Sequence, residues 1–392
     1  MRLQQLLVSG FRNYRSLSLS LPSGPVLLYG DNGQGKSNLL EAVYLLATSR
    51  SFRTRLDREL LNWSLLTEGE PTAAFARIAC QLERLTGGIR LDVIIAAALG
   101  GVQGGSILEP PTRKQISVNG AKRQPSELIG QLMVTLFTPA DLDLVTGPPE
   151  MRRRYLDVTL SQTDRQYFRA LTSFQRILAQ RNALLRALRE GQGRVDQLSY
   201  WDDELVLAGV LILERRQSAV RRLAELLAPR YAQLTGEATR ADLRYVSTLD
   251  DVEGADTARP IAQRYLAALH TARRREVAAG QTLTGPHRDD VFFLLGDRSL
   301  AGSGSRGQVR SCTVALKLSE VVLMQELTGE TPVLLLDDVL SELDRRRRAF
   351  LLGALSPDQQ VLITTTDLDA FPAEFVARCR RYHVVAGTLS EA

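Results

Sequence analysis

Lysine, cysteine and histidine are scarce in this chain of 392 residues. The three cysteines, Cys80, Cys312 and Cys379, lie far apart and form no C-x-x-C pair. This spacing argues against a zinc site and against a disulfide framework, and it is typical of a protein in a reducing compartment. The three histidines are equally scattered, which argues against a histidine metal centre.

Long apolar runs are also missing. The longest, residues 93–102 and 205–213, are far shorter than the roughly 20 residues that a membrane-spanning helix needs. The first residues of the chain lack the basic segment followed by an apolar segment that defines a signal peptide. From the sequence we therefore expect a cytoplasmic protein with no membrane partner.

Positive charge is abundant, but almost none of it is lysine. Of 49 basic residues only four are lysines, and the formal net charge is +5. Arginine forks suit phosphate oxygens, so a polyanionic partner is permitted, although a bias in genomic composition would explain the arginine equally well. Aromatic residues make up only 6% of the chain, so a platform for stacking single-stranded bases is not evident.

One segment matches the phosphate-binding pattern G-x-x-x-x-G-K-[ST] in full. Its residues are Gly30, Asp31, Asn32, Gly33, Gln34, Gly35, Lys36 and Ser37. In this pattern backbone N–H groups surround the phosphates, the lysine neutralises their charge and the hydroxyl binds Mg²⁺. Residues 25–29 predict a buried strand and residues 38–46 an amphipathic helix, which is the context that the motif needs. We therefore predict nucleoside triphosphate binding by this loop and Asn38, with Lys36 as a catalytic group and Ser37 as a Mg²⁺ ligand.

A second apolar run, residues 332–336, ends in the acidic pair Asp337 and Asp338. A strand this apolar is buried on both faces, and a carboxylate at its end lies at the sheet edge where ligands bind. We expect Asp337 to hold Mg²⁺ through water and Asp338 to polarise the attacking water. Taken without the phosphate-binding loop, a solvated acidic turn would be the better interpretation.

The character of the sequence changes twice along the chain. Residues 1–149 contain strand-like segments and the phosphate-binding loop, and strand-like character returns over residues 276–392. Between them, residues 150–275 carry long helical patterns that are broken at Gly191 and Gly193. The sequence thus predicts an α/β ATPase domain in two halves, interrupted by a helical arm lobe.

Two further segments resemble motifs of ABC-class ATPases. Ser305, Gly307 and Gln308 match the signature S-x-G-Q ahead of a helix, and Ser341 and Asp344 match the S-x-L-D turn called the D-loop. In that class the signature of one subunit binds the γ-phosphate held by the other, at the start of a helix. The resemblance implies a homodimer that forms on ATP binding. In the alternative, Ser341 or Asp344 simply caps the next helix.

Over nearly its whole length the chain resembles the RecF family of bacterial recombination mediators. The resemblance rests on residues 30–42, 137–142, 152–157, 285–290, 305–308, 335–344 and 364–366. It implies an ABC/SMC-like P-loop ATPase head with a mixed sheet. The chain departs from the family pattern at Ala140 and Val309, and at Thr364 to Thr366 it has threonine where the wider ABC class has a histidine.

The family resemblance also implies a function. It implies a protein of DNA repair and replication that binds ATP and Mg²⁺, dimerises on DNA at single-strand gaps and duplex junctions, and hydrolyses ATP slowly. RecR, RecO and, downstream, RecA would be its partners in recombination and in the SOS response to DNA damage. Two other classes remain as alternatives, a structural DNA scaffold and a motor coupled to a nuclease or transporter.

Runs of arginine are the sequence's only indication of where DNA would bind. Such runs contact backbone phosphates without reading sequence. The predicted contact residues are Arg152, Arg153, Arg154, Arg273, Arg274 and Arg275. The alternative for each run is a solvated helix face whose arginines form local salt bridges and do not contact DNA. A further run, residues 345–348, follows the D-loop and would serve the ATP site instead.

Overall fold

The structure, a computed structural model, describes residues 1–62, 64, 73–98, 102–103, 106–107, 112–249 and 260–392. The chain divides into two compact units. The first unit combines Met1–Leu142 with Glu320–Ala392, and the second is the continuous segment Asp143–Ser319. The helical lobe expected at residues 150–275 lies within the second unit, and its boundaries stay a prediction.

The strands are numbered in chain order. They are β1 (Arg2–Phe11), β2 (Tyr14–Ser20), β3 (Pro25–Tyr29), β4 (Ala73–Arg84), β5 (Gly87–Ala98), β6 (Val102–Gln103), β7 (Ser106–Ile107), β8 (Thr112–Val118), β9 (Ala121–Arg123), β10 (Val134–Phe137), β11 (Ala241–Val246), β12 (Asp290–Leu295), β13 (Arg298–Ser299), β14 (Val333–Asp337), β15 (Val361–Thr365), β16 (Arg380–Val385) and β17 (Thr388–Glu391).

The helices are numbered in the same way. They are α1 (Lys36–Thr48), α2 (Pro125–Leu128), α3 (Pro149–Thr163), α4 (Arg165–Arg189), α5 (Leu198–Thr235), α6 (Ile261–Ala279), α7 (Leu300–Ser303), α8 (Arg306–Thr328), α9 (Arg345–Gly353) and α10 (Ala373–Arg378). Among the residues that the structure describes, no helix is long and apolar enough to cross a membrane.

A six-stranded mixed sheet forms the centre of the first unit, in the order β10-β14-β15-β3-β16-β17. The strands from β10 to β16 pair in parallel, and β17 pairs with β16 in the antiparallel direction. Every residue of β14 and of β15 is buried, because their sequences are apolar on both faces. This parallel pairing brings the carboxyl ends of β3, β14 and β15 to one edge of the sheet, where a ligand site is expected.

A second sheet of the first unit is antiparallel, in the order β2-β1-β4-β5-β8-β9. Buried and exposed residues alternate along its strands, as in β4 from residue 74 to 78, where Ala74, Ala76 and Ile78 are buried and Phe75 and Arg77 are exposed. Helix α1 contacts strands of both sheets. It is apolar almost all round, and residues 39–40 and 42–47 are all buried or nearly so. The helix that follows the phosphate-binding loop is therefore held firmly in the core of this unit.

The second unit is built on the long helices α4, α5 and α6, which pack against one another. A three-stranded antiparallel sheet, β11-β12-β13, lies in the same unit and contacts α5 through β11. Helix α5 has 38 residues and ends at Gly236, whose φ of 74° is the left-handed conformation that closes many helices. Arg181 is fully buried among these helices and pairs with Asp202 and Glu276.

Candidate nucleotide-binding site

The phosphate-binding loop joins the end of β3 at Tyr29 to the start of α1 at Lys36. Gly30 and Gly35 have φ values of 144° and 117°, which L side chains rarely adopt. A Cβ atom at Gly30 would lie 2.5 Å from the carbonyl oxygen of Val384, and one at Gly35 would lie 2.7 Å from the side chain of Asn13. Both glycines are therefore required by backbone conformation and by space.

The loop opens onto a cavity of about 650 Å³ in the first unit. Asn32, Gly33, Gly35, Lys36, Ser37 and Asn38 line it from the N-terminal stretch of the chain, and Asp338 and Thr364 line it from the C-terminal stretch. Residues more than 300 positions apart in sequence thus share one site. The size is sufficient for a nucleotide-sized ligand.

The ammonium group of Lys36 lies inside the loop. Its Nζ donates hydrogen bonds to the carbonyl oxygens of Gly30 at 2.6 Å and Asp31 at 2.8 Å. Burial lowers the pKa of Lys36, while the negative charges of Asp338, Asp31 and Asp337 oppose that change. The lysine thus lines the cavity within electrostatic range of three carboxylates.

Asp337 and Asp338 occupy the carboxyl end of β14, as the sequence predicts. Asp337 is the last residue of the strand and is largely buried. Asp338 has a φ of 51°, an uncommon conformation for a residue other than glycine, and it starts the turn Val339–Glu342. Burial raises the pKa of Asp338; the charge of Lys36 opposes this rise, and that of Asp337 reinforces it.

The predicted D-loop residues both make local contacts. The hydroxyl of Ser341 donates a hydrogen bond to the carbonyl oxygen of Asp338 at 2.6 Å. The carboxylate of Asp344 accepts a hydrogen bond from the backbone N–H of Arg347 at 2.9 Å, so Asp344 caps α9. Their assignment to a dimer contact stays a prediction.

A magnesium ion fits the donors at this edge. Mg²⁺ is bound in nucleotide sites by one or two protein oxygens together with phosphates and water. Ser37 lines the cavity, and Asp337 lies next to Asp338, which also lines it. Among the described residues no group of three or more histidine, cysteine, aspartate or glutamate side chains could hold a metal by itself. The donor set therefore suits a metal that arrives with phosphates.

Sequence reasoning missed six polar residues that line the same cavity, namely Arg12, Asn13, Arg53, Glu59, Asn62 and Ser64. Asn13 donates to the carbonyl oxygen of Gln34 and accepts from the amide of Asn38, both at 2.8 Å. Arg53 donates to the other side of the Asn38 amide at 2.7 Å. These contacts hold the phosphate-binding loop and the start of α1 in place.

Arg12 belongs to a separate contact on the same side of the cavity. Its guanidinium donates two hydrogen bonds, at 2.9 and 2.8 Å, to the carboxylate of Glu41, which is fully buried in α1. The Glu41 carboxylate also accepts from the hydroxyl of Ser51 at 2.5 Å. No sequence signal links these residues, because the turn at Arg12 meets α1 only through the pairing of the antiparallel sheet.

The signature residues Ser305, Gly307 and Gln308 lie in the second unit, at the start of α8. The hydroxyl of Ser305 accepts from the backbone N–H of Gln308 at 3.2 Å, and the Gln308 side chain accepts from the backbone N–H of Ser305 at 3.0 Å. This reciprocal pair is a capping box. Ser305 is exposed at the start of this 23-residue helix.

The arginine runs divide into buried and exposed members. Arg152 is buried and makes two hydrogen bonds to the carboxylate of Asp290, at 2.7 and 2.8 Å. Arg273 pairs with Asp202, and Arg153 donates to the carbonyl oxygen of Asp289. These three side chains have partners within the second unit. The remaining members, Arg154, Arg274 and Arg275, are exposed.

The comparisons with known proteins agree with one another. The model of the RecF/RecN/SMC N-terminal domain matches residues 2–378. A protein of Chloroflexus aurantiacus called "DNA replication and repair protein RecF" is 47% identical, with 99% of each chain covered. A protein of the same name from Roseiflexus castenholzii is 44% identical, again with 99% of each chain covered.

Solved structures give the same result for the fold. The structure of a recombination mediator protein RecF with ATP is 28% identical, with a TM-score of 0.84 over 100% of this chain and 97% of that chain. An SMC head bound to a domain of ScpA has a TM-score of 0.51 at 13% identity, which is a likeness of fold alone. The predicted α/β class, an ABC/SMC-like ATPase head, is confirmed. By its family model and its full-length relatives, the chain belongs to the RecF family.

Proposed function

We propose that this protein is an ATP-dependent DNA-binding protein of replication and repair, in which ATP closes a dimer on DNA. The observation that carries the proposal is the single cavity lined by Lys36 and Ser37 from one end of the chain and by Asp338 and Thr364 from the other. The relatives called DNA replication and repair protein RecF, and the RecF structures with ATP, support the choice of ATP and of DNA.

The phosphates would lie in the loop of residues 30–37. The backbone N–H groups at the start of α1 and the Lys36 ammonium would neutralise them. Mg²⁺ would be held by the hydroxyl of Ser37 and, through water, by Asp337, where it would offset the charge of the β- and γ-phosphates. Asn38 and Asn13 would keep the loop in the geometry that these contacts need.

Hydrolysis would depend on Asp338. Its carboxylate lies one residue beyond Asp337 and lines the cavity, so it can polarise a water molecule near the γ-phosphate. We infer a slow turnover that resets the protein, since the useful output of such a switch is the time that it spends in the ATP-bound state. The protein would thus be a weak ATPase with no other catalytic activity.

The site would be completed by a second copy of the chain. Ser305 and Gly307 stand at the start of α8, where backbone N–H groups and the helix dipole favour an anion. In the ABC class this element binds the γ-phosphate held by the opposite subunit. Two ATP molecules would therefore join two protomers, and Ser341 and Asp344 would lie near the contact between them.

Family membership supports a proposal for the partners. We propose binding at single-strand gaps and their duplex junctions, followed by work with RecR and RecO to load RecA, as part of the SOS response. Two of the solved relatives are described as recombination mediators in the RecFOR pathway, which supports these partners.

The experiment follows dimerisation by light scattering and DNA binding by fluorescence anisotropy, each with ATP, with ADP and without nucleotide. The variants are Lys36→Met in the loop and Ser305→Arg in the signature. Ser303→Arg is the matched control, because Ser303 is also exposed and receives the same charge outside the motif. In the wild type and in Ser303→Arg, we expect ATP but not ADP to drive both dimerisation and DNA binding. In Lys36→Met and Ser305→Arg, we expect ATP to drive neither. DNA affinity that ignored nucleotide and both variants would favour a passive scaffold instead.

A further inference from the structure

Helix α4 has a composition unlike the rest of the chain. Its 25 residues include six arginines and no aspartate, glutamate or lysine. One of the six, Arg181, is buried and pairs with two carboxylates. The other five, at positions 165, 169, 176, 186 and 189, are exposed. The helix therefore presents positive charge to solvent without the interspersed acids that a solvated helix normally carries.

Four of these arginines form a stripe along one side of α4. Arg165, Arg169, Arg176 and Arg186 are separated by 4, 7 and 10 residues in the sequence. At 3.6 residues per turn they fall within an arc of about 100°, and they extend over about 32 Å of the helix. We call these four residues the α4 arginine stripe.

The charges of the stripe are unpaired in the part of the chain that the structure describes. None of its four side chains makes a hydrogen bond or ion pair with any residue that the structure describes. Arg165 is the first residue of the helix, where the positive end of the dipole disfavours a cation. Stability of the fold does not explain these positions, whereas Arg181 on the opposite side of the same helix has a clear structural role.

The neighbours of the stripe favour a phosphate backbone as its occupant. The other exposed residues of α4 are small or polar, namely Gln166, Thr172, Gln175, Ala179, Gln180 and Ala183. Stable protein interfaces usually have aromatic or large apolar anchors, and membrane-surface helices have an apolar face to insert. The exposed surface of α4 has no large apolar anchor and no apolar face. It also has no exposed aromatic side chain on which a base could stack.

We propose that the α4 arginine stripe binds the phosphate backbone of duplex DNA. Duplex DNA presents one negative charge per roughly 1.7 Å of its axis, so a row of arginines about 32 Å long faces a dense line of phosphate charge that it can contact without reading sequence. The proposal rests on the proposed function only in the choice of DNA as the polyanion. It assigns the contact to residues other than the arginine runs at 152–154 and 273–275.

The test uses the full chain with Arg169, Arg176 and Arg186 all changed to glutamine. The matched control changes Arg90, Arg298 and Arg378 to glutamine, since these are equally exposed arginines elsewhere and the loss of charge is the same. Binding of a labelled mixed-sequence duplex is measured between about 50 and 200 mM salt, with ATP and without nucleotide. The same is done with a single strand of equal length and with vesicles containing phosphatidylglycerol. Thermal unfolding of both variants verifies the fold.

We expect the stripe variant to lose about tenfold or more in duplex affinity and to show a salt slope less steep by about one unit per arginine removed. The control variant should bind like the wild type. Equal losses in both variants would show an effect of net charge alone and would overturn the proposal, as would no loss in either. A loss confined to the single strand or to vesicles would overturn it too.

The outcome of this test is separable from the test of the proposed ATP-driven closure of a dimer on DNA, which we call the clamp. In a Lys36→Met background the clamp is disabled, yet the difference between the stripe variant and its control should persist without nucleotide. If the clamp is wrong and the stripe is right, this difference remains. If the stripe proposal is wrong, this difference vanishes, while ATP still drives dimerisation of the wild-type protein.

Discussion

The hydroxyl of Thr364 donates a hydrogen bond to the carboxylate of Asp337 at 2.9 Å. The same hydroxyl accepts a hydrogen bond from the backbone N–H of Asp338, also at 2.9 Å. Strands β14 and β15 are neighbours, and their register sets Asp337 directly opposite Thr364. One buried side chain therefore fixes both acidic residues of the site relative to each other.

Thr364→Val should slow ATP hydrolysis. Valine keeps the shape of threonine but removes a hydrogen bond to a charged group, a loss of about 1.5–3 kcal/mol, so we expect a decrease in kcat of roughly ten- to hundredfold. Thr364→Ser restores the hydroxyl and should restore most of the rate. The measurement is kcat for steady-state ATP hydrolysis by each variant, with ATP affinity measured separately. Equal kcat values for the valine and serine variants would contradict the positioning role.

The contribution of Thr364 shows where sequence reasoning reaches its limit. The strand at residues 25–29, the helix at 38–46 and the acidic strand end were predicted correctly, because each depends on a short apolar pattern. The role of the threonine depends on the register between two strands 27 residues apart. A local pattern contains no information about such a register.

The same limit applies to charged residues. Arg152 stands in a run of three arginines, and its partner Asp290 is 138 residues away. A buried, paired arginine and an exposed, free one look alike in sequence. The exposed row on α4 was missed for a related reason, because its members are spread over 22 residues and become a stripe only when the helix forms.

Hydrolysis should fall in acid at a higher pH than an ordinary aspartate would give. Burial raises the pKa of Asp338 above its usual value of 3.8, and the ionised form is the one that polarises water. Turnover is therefore lost as the pH falls through this raised pKa. The kcat/KM measured against pH, which reports the free enzyme, should show this acid limb when the fold is monitored at each point. Asp338→Asn should lose both the limb and most of the rate. An acid limb at the pKa of a free aspartate would contradict the assignment.

The raised pKa of Asp338 also predicts how the stability of the fold depends on pH. Because the folded protein binds this proton more tightly than the unfolded chain, stability from Asp338 is present below pH 3.8 and is lost as the pH rises through the raised pKa. At neutral pH the ionised carboxylate is thus a cost to the fold. Asp338→Asn should raise the midpoint of thermal unfolding at pH 7 and have no such effect in strong acid. A lower midpoint at pH 7 would show that the carboxylate supports the fold instead.

Arg348→Gln should loosen the turn that carries the D-loop. The Arg348 guanidinium donates hydrogen bonds to the carbonyl oxygens of Leu340 and Leu343 at 3.1 Å each and of Ala370 at 2.6 Å. Hydrogen bonds from a charged group are worth about 1.5–3 kcal/mol each. We expect weaker ATP-driven dimerisation with ATP affinity nearly unchanged, because the loop of residues 30–37 is untouched. Arg346→Gln, an exposed neighbour, is the control, and equal behaviour of the two variants would exclude this role.

Arg181→Met should destabilise the second unit strongly. The Arg181 guanidinium is fully buried and donates to Asp202 at 2.8 Å, Glu276 at 2.7 Å and the hydroxyl of Thr282 at 2.8 Å. Removing it leaves the buried carboxylate of Glu276 without its cation, while Asp202 keeps only its pair with Arg273. Breaking a buried ion pair in this way typically costs about 3–5 kcal/mol.

Urea unfolding monitored by tryptophan fluorescence measures this cost, since Trp201 lies in α5 next to Asp202. Arg186→Met, on the exposed side of the same helix, should change the free energy of unfolding by no more than about 0.5 kcal/mol. Adding Asp202→Asn and Glu276→Gln to Arg181→Met should recover part of the loss, because the uncompensated charges disappear. If Arg181→Met unfolded like Arg186→Met, the buried ion pairs would contribute nothing and the helices would be held by apolar packing alone.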